Sequence, residues 1–454
     1  MRLTFVLPAI GKKPGQKYIG TWKMEPLTFA VLKSLTPERF AVRFFDDRLE
    51  QVDASAPSDA VLISVETYTA RRSYALARRF REQGARVILG GYHASLMPDE
   101  AGLHADAVVV GNAEAIFPEL LEDLAGNRLQ PRYQGPAGFR RMPPDTTLYG
   151  NRRYLPVSLV ETGRGCPQAC EFCAISAFYR SRYHPREVGE ILRDLEASRH
   201  RRFFLVDDNL CADREHALEL FRRMEPLGLQ WAGQGTLAMG QDPELLRAMK
   251  RSGCEILLVG FESLNQANLR QMGKSVNLQL SDRDQMVRNL HAAGLNLYGT
   301  FVFGYDADDQ GTVREALDFA VRHGLYTAAF NHLLPFPGTR LHERLLREGR
   351  LETRSGFPNG PLDSQAWWLD GSYRYGEIPF RPRGIEGPAL ARACRDARKE
   401  FNSPRNLLRR GALALKRGTL VAWPLFWAMN LPLGREVDQK MDVPLGENLD
   451  EWPK

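Results

Sequence analysis

Cysteine is scarce in this chain: six residues among 454, three of them inside one stretch of eight. That usage does not fit the disulfide framework of a secreted protein and fits a reducing cytosol. Long apolar runs are missing too. The most apolar stretch near the end, residues 420–431, is broken by Pro424 and falls short of the roughly 20 residues a bilayer span needs. Residues 1–8 are too short and too soon interrupted by Pro8 for a signal peptide, and read as a first buried strand. Nor is there a strong excess of one charge. Lys plus Arg number 61 and Asp plus Glu 55, and the resulting +6 does not by itself imply a nucleic-acid partner. With 43% apolar and 26% charged residues, the chain reads as a globular cytoplasmic protein, long enough for two or three domains.

What is present is concentrated. Cys166, Cys170 and Cys173 are spaced Cys-x-x-x-Cys-x-x-Cys, with Phe172 just before the last. Thiolates are soft ligands that suit iron–sulfur clusters or zinc. Three of them can hold three irons of a [4Fe–4S] cluster and leave the fourth open to a small molecule. With His184 they would instead make a Cys₃His zinc site, although zinc modules usually pair their cysteines in two knuckles. Here one compact triplet follows an apolar, strand-like run at 155–160. Cys211, Cys254 and Cys394 stand alone.

Around this triplet the chain alternates between strand and helix patterns. Short apolar runs at 3–7, 41–45, 61–65, 87–89 and 107–110 are separated by longer amphipathic segments such as 71–83. That is the rhythm of a doubly wound parallel sheet, which binds ligands at the carboxyl ends of its strands. Those ends read Ser64-Val65-Glu66-Thr67, Gly90-Gly91-Tyr92-His93 and Gly111-Asn112-Ala113-Glu114. Paired glycines permit a close approach of backbone to a bulky ligand, and also make tight turns. Residues 127–157 are rich in Pro, Gly and Arg without a helical or strand period, and read as a linker.

The rhythm resumes at Ser158. Strand candidates are 158–162, 203–207, 230–235, 255–261, 295–303 and 328–334; helices are expected over 188–198, 214–224, 243–252 and 282–293. Six such units suit a partial barrel, whose chemistry sits at the carboxyl ends of the strands. The cysteine loop follows the first strand. Asp207-Asp208-Asn209 follow the second, Gln234 ends the third, Gly260-Phe261-Glu262-Ser263 ends the fourth and Gly304-Tyr305-Asp306 follows the fifth. Pro335 to Thr339 form the turn after the sixth.

The cysteine spacing, with an aromatic residue before the last thiol, resembles the radical S-adenosylmethionine (radical SAM) superfamily. The double glycine and the serine of the first sheet resemble the cobalamin-binding domain found in front of many such enzymes. The resemblance covers roughly residues 1–345. It implies a Rossmann-like cobalamin-binding domain at 1–130, a linker at 131–157, a (β/α)6 TIM-type partial barrel at 158–345 and a mostly helical extension at 346–454. It also implies Cys166, Cys170 and Cys173 as cluster ligands. Phe172, Asp208, Gln234, Glu262, Ser263 and Gly304 would surround S-adenosylmethionine. Ser64, Glu66, Thr67, Gly90, Gly91, His93, Gly111 and Glu114 would surround cobalamin. The implied activity is methylation of an unactivated carbon by way of a deoxyadenosyl radical and methylcobalamin, with a small-molecule or lipid-like substrate and a reductant such as flavodoxin or ferredoxin. Cyclisation or rearrangement, with or without cobalamin, uses the same layout; a non-catalytic zinc protein is the reading of another class. One departure stands out. The Asp-x-His-x-x-Gly motif that supplies a histidine to cobalt is absent, and Asp46-Asp47-Arg48-Leu49-Glu50 occupies a comparable point.

The tail differs in character. Residues 367–375 are dense in aromatics, and nine Lys or Arg lie between 392 and 417, ahead of the Trp-rich apolar run at 420–431. Such a basic-then-apolar pattern suits a helix closing a barrel, or peripheral contact with an anionic membrane surface.

Overall fold

The computed structural model describes residues 1–20, 23–138, 143–280, 282–352, 366–417 and 422–450. Two six-stranded parallel sheets organise them. The first comprises β1 (Arg2–Leu7), β2 (Ala41–Asp46), β3 (Ala60–Ser64), β4 (Arg86–Gly90), β5 (Ala107–Val110) and β6 (Arg132–Gln134), in the order β2-β1-β3-β4-β5-β6. The strand order reverses between β1 and β3, and such a switch point opens a crevice at the carboxyl edge. Both faces of the central strands are buried, so β3 and β5 are almost wholly apolar, whereas the edge strands β2 and β6 carry exposed polar residues. Val61 and Ile63 of β3 pack with Leu76 and Phe80 of the helix Ala70–Glu82, while Ala60 and Leu62 pack with Phe29 and Phe117 on the other side.

β6 falls inside the stretch the sequence marks as a linker. Three residues long, it buries only Tyr133, so no period of two could reveal it. A short 3₁₀ turn, Thr146–Tyr149, follows it, capped by Asp145. Arg141 and Met142 of the same stretch lie outside the described residues.

The second sheet contains β7 (Ser158–Val160), β10 (Arg202–Leu205), β11 (Gln230–Gly235), β12 (Cys254–Glu262), β13 (Asn296–Phe303) and β14 (Thr327–His332), hydrogen-bonded in that order. Between β7 and β10 lies a hairpin of β8 (Gly163–Gly165) and β9 (Tyr183–Pro185). Every strand after the hairpin is preceded by a helix on the outer side, as in a barrel, and β7 and β14 remain unpaired edges. Burial alternates along the strands. Trp231, Leu297, Phe301 and Phe303 are sealed beneath the helices, whereas Phe204, Ala232, Gln234, Leu258, Tyr298, Thr300 and Val302 remain half-buried on the inner face. Since residues two apart share a face, the half-buried row lines an open interior.

The extension ties these units together. Trp367, Trp368 and Tyr373 are buried in the core of the first sheet, so the aromatic stretch is packing material. The helix Gly387–Phe401 drives Leu390, Cys394, Ala397 and Phe401 into the barrel core. The helices Pro404–Arg417 and Ala422–Lys440 form a hairpin over Ile256 and Tyr326, at the amino-terminal end of the barrel strands. Pro424 does not interrupt this structure: it sits in the first helical turn, where a missing N–H costs no hydrogen bond. Leu420 and Val421 lie outside the described residues. Arg410 pins the hairpin, donating to the carbonyls of Tyr326 and Phe401 and to Asn430 Oδ1, with its guanidinium 3.7 Å from the Phe401 ring centre.

Candidate functional site

The cysteine loop is clamped at both ends. β8 pairs antiparallel with β9, and the segment from Cys166 to the helix Ala174–Phe178 bulges between them. Gly165 has φ +79, and a Cβ there would come within 2.2 Å of the Arg182 carbonyl, so only glycine fits the turn into the loop. Within the loop, Glu171 N donates to Met272 O and its carboxylate accepts two bonds from Arg344, at 2.8 and 3.1 Å. A bidentate pair of this kind fixes orientation as well as position.

The acidic pair after β10 holds the other side. Asp207 accepts from Thr162 N at 2.6 Å and Thr162 Oγ1 at 2.5 Å, joining the ends of β7 and β10. Burial pushes its carboxyl up to about 8, so at neutral pH it is largely a neutral clamp. Asp208 accepts from Gly165 N at 2.9 Å and is pushed up to about 6 by burial. Gln234, at the end of β11, donates to the Asp208 carbonyl, and Asn209 Nδ2 stands 3.8 Å from Cys166 Sγ.

Cys170 is buried and Cys166 and Cys173 half-buried; all three are free thiols. Burial pushes the Cys170 thiol up to about 12 and raises that of Cys166, and the ammonium of Lys274 opposes both shifts. That lysine pairs with Glu262 Oε1 at 3.1 Å. Although burial works against its charge, Glu262 and the neighbouring thiols keep it protonated. Glu262 itself sits at φ +61, where the pairing of β12 with β13 shifts register. Asn277 pins this strained turn by donating to both the Gly260 and Phe261 carbonyls at 3.0 Å.

A buried thiol such as Cys170 is poorly disposed to ionise alone and well disposed to bind a metal, which takes the place of the proton. Zinc would need its ligands about 2.0–2.3 Å from one point. A four-iron cluster takes one thiolate per iron and so needs them apart.

A cavity of about 370 Å³ lies between the first sheet and the segments that flank this loop. Ser64, Glu66, Gly90, Gly91, Gly111 and Glu114 all line it from the carboxyl edge of β3, β4 and β5. Glu161, Arg164, Phe178 and Tyr179 line it from the barrel side, and its inner end is apolar, with Leu62, Ile88, Val109 and Phe117. Glu66 is accessible from the cavity but hemmed in by protein, and burial pushes its carboxyl up to about 7. Arg164, on β8, spans the gap. It binds Glu114 at 2.5 Å and Glu161 at 2.6 Å, joining the cysteine hairpin to the first sheet. Its role was hidden in the sequence, because its partner Glu114 lies fifty positions earlier; Lys274 carries no motif of its own.

The remaining candidates stand elsewhere. Thr67 Oγ1 lies 3.2 Å from His93 Nδ1, and His93 Nε2 lies 2.9 Å from Glu100, which also accepts from Tyr74 and Trp368. With both ring nitrogens engaged and no exposure, His93 is a buried support, not a residue of the cavity. Among the described residues no histidine lines the cavity. The loop comparable to the missing cobalt-ligand motif is closed by the Asp46–Arg48 ion pair. Gly304 is covered by Phe380, Leu333 and Leu390, because Asp308 folds the chain after β13 under the extension by accepting from Gly304 N and Tyr305 N. Ser263 is buried and accepts from Asn265 N. Phe172 is half-buried against the barrel core.

Comparison with known proteins agrees with this geometry. The family model described as "Radical SAM superfamily" matches residues 160–320. Bacteriochlorophyllide d C-12(1)-methyltransferase of Chlorobaculum tepidum is 30% identical over 336 residues, 70% of this chain and 73% of that protein. Bacteriochlorophyllide d C-8(2)-methyltransferase of the same organism is 26% identical over 348 residues, 71% and 76% of the two chains. Among solved structures, the radical S-adenosylmethionine methyltransferase TsrM from Kitasatospora setae, with cobalamin and a [4Fe-4S] cluster bound, superposes with a TM-score of 0.66. It covers 96% of this chain and 99% of that one at 16% identity, a likeness of fold. Three thiols on a clamped loop after the first barrel strand, a family match over the barrel and a relative of this identity lead to one assignment: the chain belongs to the radical SAM superfamily of enzymes, alongside carbon methyltransferases.

Proposed function

We propose that the protein is a cobalamin-dependent radical SAM methyltransferase that methylates an unactivated carbon of a hydrophobic small molecule. The observation that carries the reading is the cavity itself. It lies between the carboxyl edge of the first sheet and the residues flanking the cysteine loop, Glu161 and Arg164 before it and Phe178 and Tyr179 after it, so a cofactor on the first sheet would face one held by the barrel. In this reading residues 1–130, with β6 added from the linker 131–157, hold cobalamin; 158–345 hold the cluster and S-adenosylmethionine; 346–454 close the site. Cys166, Cys170 and Cys173 hold a [4Fe–4S] cluster. Asp208, Gln234 and Glu262 border S-adenosylmethionine, and Ser64, Glu66, Gly90, Gly91, Gly111 and Glu114 border cobalamin. When bound, the cluster with S-adenosylmethionine supplies radical hydrogen abstraction, and methylcobalamin supplies the methyl group.

The chain's own residues provide the setting. Lys274 places a positive charge beside the thiolates and so offsets the negative charge of what they bind. Glu262, held by Lys274, offers an acceptor to hydroxyl groups. Arg164 keeps the two sheets in register across the cavity.

The test is the metal content and product pattern of anaerobically prepared protein supplied with iron, sulfide, hydroxocobalamin and a flavodoxin reductant. The expected result is about four irons per chain, one cobalt, and S-adenosylhomocysteine formed beside deoxyadenosine. Iron without cobalt would remove cobalamin from the reading, and zinc alone would overturn it from the cysteine loop outward.

The C-terminal hairpin adds a partner to this reading, an anionic membrane surface. On the helix Pro404–Arg417, Leu408 is 65% and Leu415 is 48% exposed, on one face. Exposed Arg405, Arg409 and Lys416 flank them, and Leu431 of the next helix is 54% exposed. Among the described residues no helix is long and apolar enough to cross a membrane, so the contact is a surface one. The protein is expected to float with phosphatidylglycerol vesicles, and Leu408→Glu with Leu415→Glu to reduce the floated fraction several-fold. Equal flotation of the two proteins would dismiss the contact.

A further inference from the structure

At the β14 edge of the barrel stands a cation that, among the described residues, no carboxylate pairs with. Arg398 projects from the helix Gly387–Phe401 beside the edge strand β14, where Nε donates to the Phe330 carbonyl and Nη2 to Asn331 Oδ1, both at 2.8 Å. Those two bonds fix the plane of the guanidinium, and both acceptors are neutral. Its helix neighbours differ: Lys399 pairs with Asp438 at 2.8 Å, and Arg395 lies 3.9 Å from the same carboxylate. Among the described residues no carboxylate pairs with Arg398. A half-buried charge left in this way is unfavourable unless something answers it.

The surroundings say what would. Arg398 lies within electrostatic reach of Tyr68, Tyr298 and His332. Tyr68 comes from the loop after β3, two residues beyond the cavity-lining Glu66, and its ring stands 5.3 Å from Tyr375 and 6.0 Å from Phe336. His332, at the carboxyl end of β14, keeps Nε2 buried with no hydrogen-bond partner. Burial and the nearby Arg398 push it down to about 3, so it is a neutral imidazole at working pH. Across the interior from these groups the half-buried row includes the apolar Phe204, Leu258 and Val302. Aromatic rings and aliphatic walls favour a flat, apolar body.

We propose that Arg398 is the anchor for an anionic group of the substrate, and that the substrate is therefore a flat, largely apolar molecule bearing a carboxylate. This rests on the methyltransferase reading and names the substrate class for the same site. The body lies in the barrel interior between the cysteine loop and β14. The carboxylate receives the free edge of the Arg398 guanidinium, and His332 Nε2 faces the same group or a neighbouring polar atom. Arg398 positions the substrate and takes no part in bond making.

The probe is 4-(1-pyrenyl)butyrate against its methyl ester, titrated by fluorescence into the fully loaded protein. The acid is expected to bind about tenfold more tightly than the ester, the scale of a hydrogen bond to a charged group. Arg398→Met is expected to abolish that preference while leaving ester affinity within about twofold, and Arg398→Lys to retain part of it. A wild-type protein that does not distinguish acid from ester, or an R398M variant that distinguishes them equally well, would overturn the anchor. A purely structural role would lower both affinities together, and that outcome also overturns it. Iron, cobalt and deoxyadenosine are measured on the same preparations. Their loss in the wild type would end the methyltransferase reading, whereas the acid–ester ratio reports on Arg398 alone.

Discussion

A Cys170→Ala variant is expected to purify without most of its iron and to form no deoxyadenosine, while melting within a few degrees of the wild type. Cys170 is the middle and most buried of the three loop thiols. Two ligands cannot do the work of three. Loss of groups that merely support metal ligands already weakens binding by about 10–100-fold, so loss of a ligand should exceed the upper end of that range. The fold has little reason to follow. The loop is clamped by the β8–β9 hairpin, by Arg344 on Glu171 and by Asp207 on Thr162, none of which involves the thiol. Removing one sulfur costs about 1 kcal/mol of burial. Cys254→Ala is the matched control. That thiol is fully buried in the barrel core, away from the loop, and its loss should lower the melting temperature without changing iron content. Full iron and unimpaired cleavage in the C170A protein would remove Cys170 from the site.

The architecture was readable because it rests on short periods. Both sheets are parallel and covered by helices, so their strands appear as largely apolar runs between amphipathic helices, and each barrel strand falls within a few residues of its expected place. The cysteine loop was readable because three thiols at fixed spacing have few other uses. Side-chain direction was not. His93 follows the paired glycines as closely as any cavity residue, yet it points into a hydrogen-bonded core with Thr67 and Glu100. Gly304 ends a strand beside the site, but Asp308 folds it beneath the extension. Both outcomes depend on elements packed from far along the chain: Trp368 in one case and Phe380 in the other. The same holds for Arg164 and Lys274. Their importance lies in partners, Glu114 and Glu262, that only the folded chain brings near. β6 escaped for a different reason, a single buried side chain being too little to make a pattern.

The two glycines at the end of β4 should differ in what substitution does to stability. Gly91 has φ +97, and a Cβ there would sit 2.8 Å from both the amide nitrogen and the carbonyl oxygen of Val65. Those atoms are already committed, Val65 N donating to Gly90 O at 2.7 Å and Val65 O accepting from His93 N at 3.0 Å. The backbone must therefore move, and a β-branched side chain in the left-handed region adds its own strain. Gly91→Val is expected to cost about 2–4 kcal/mol and to lose cobalamin together with stability. Gly90 is a different case. A Cβ there would meet only Val109 Cβ at 3.6 Å, an ordinary contact, while the residue still lines the cavity. Gly90→Leu is thus expected to keep its melting temperature within a few degrees and its full iron, since the cysteine loop belongs to the other sheet, and to lose most of its bound cobalamin through the volume it fills. Visible absorbance after gel filtration reads the cobalamin, and the melting curve reads the fold. If the G90L protein retained one cobalamin per chain, the cavity between the sheets would not be where cobalamin binds, and the case for cobalamin would have to be sought elsewhere on the first sheet.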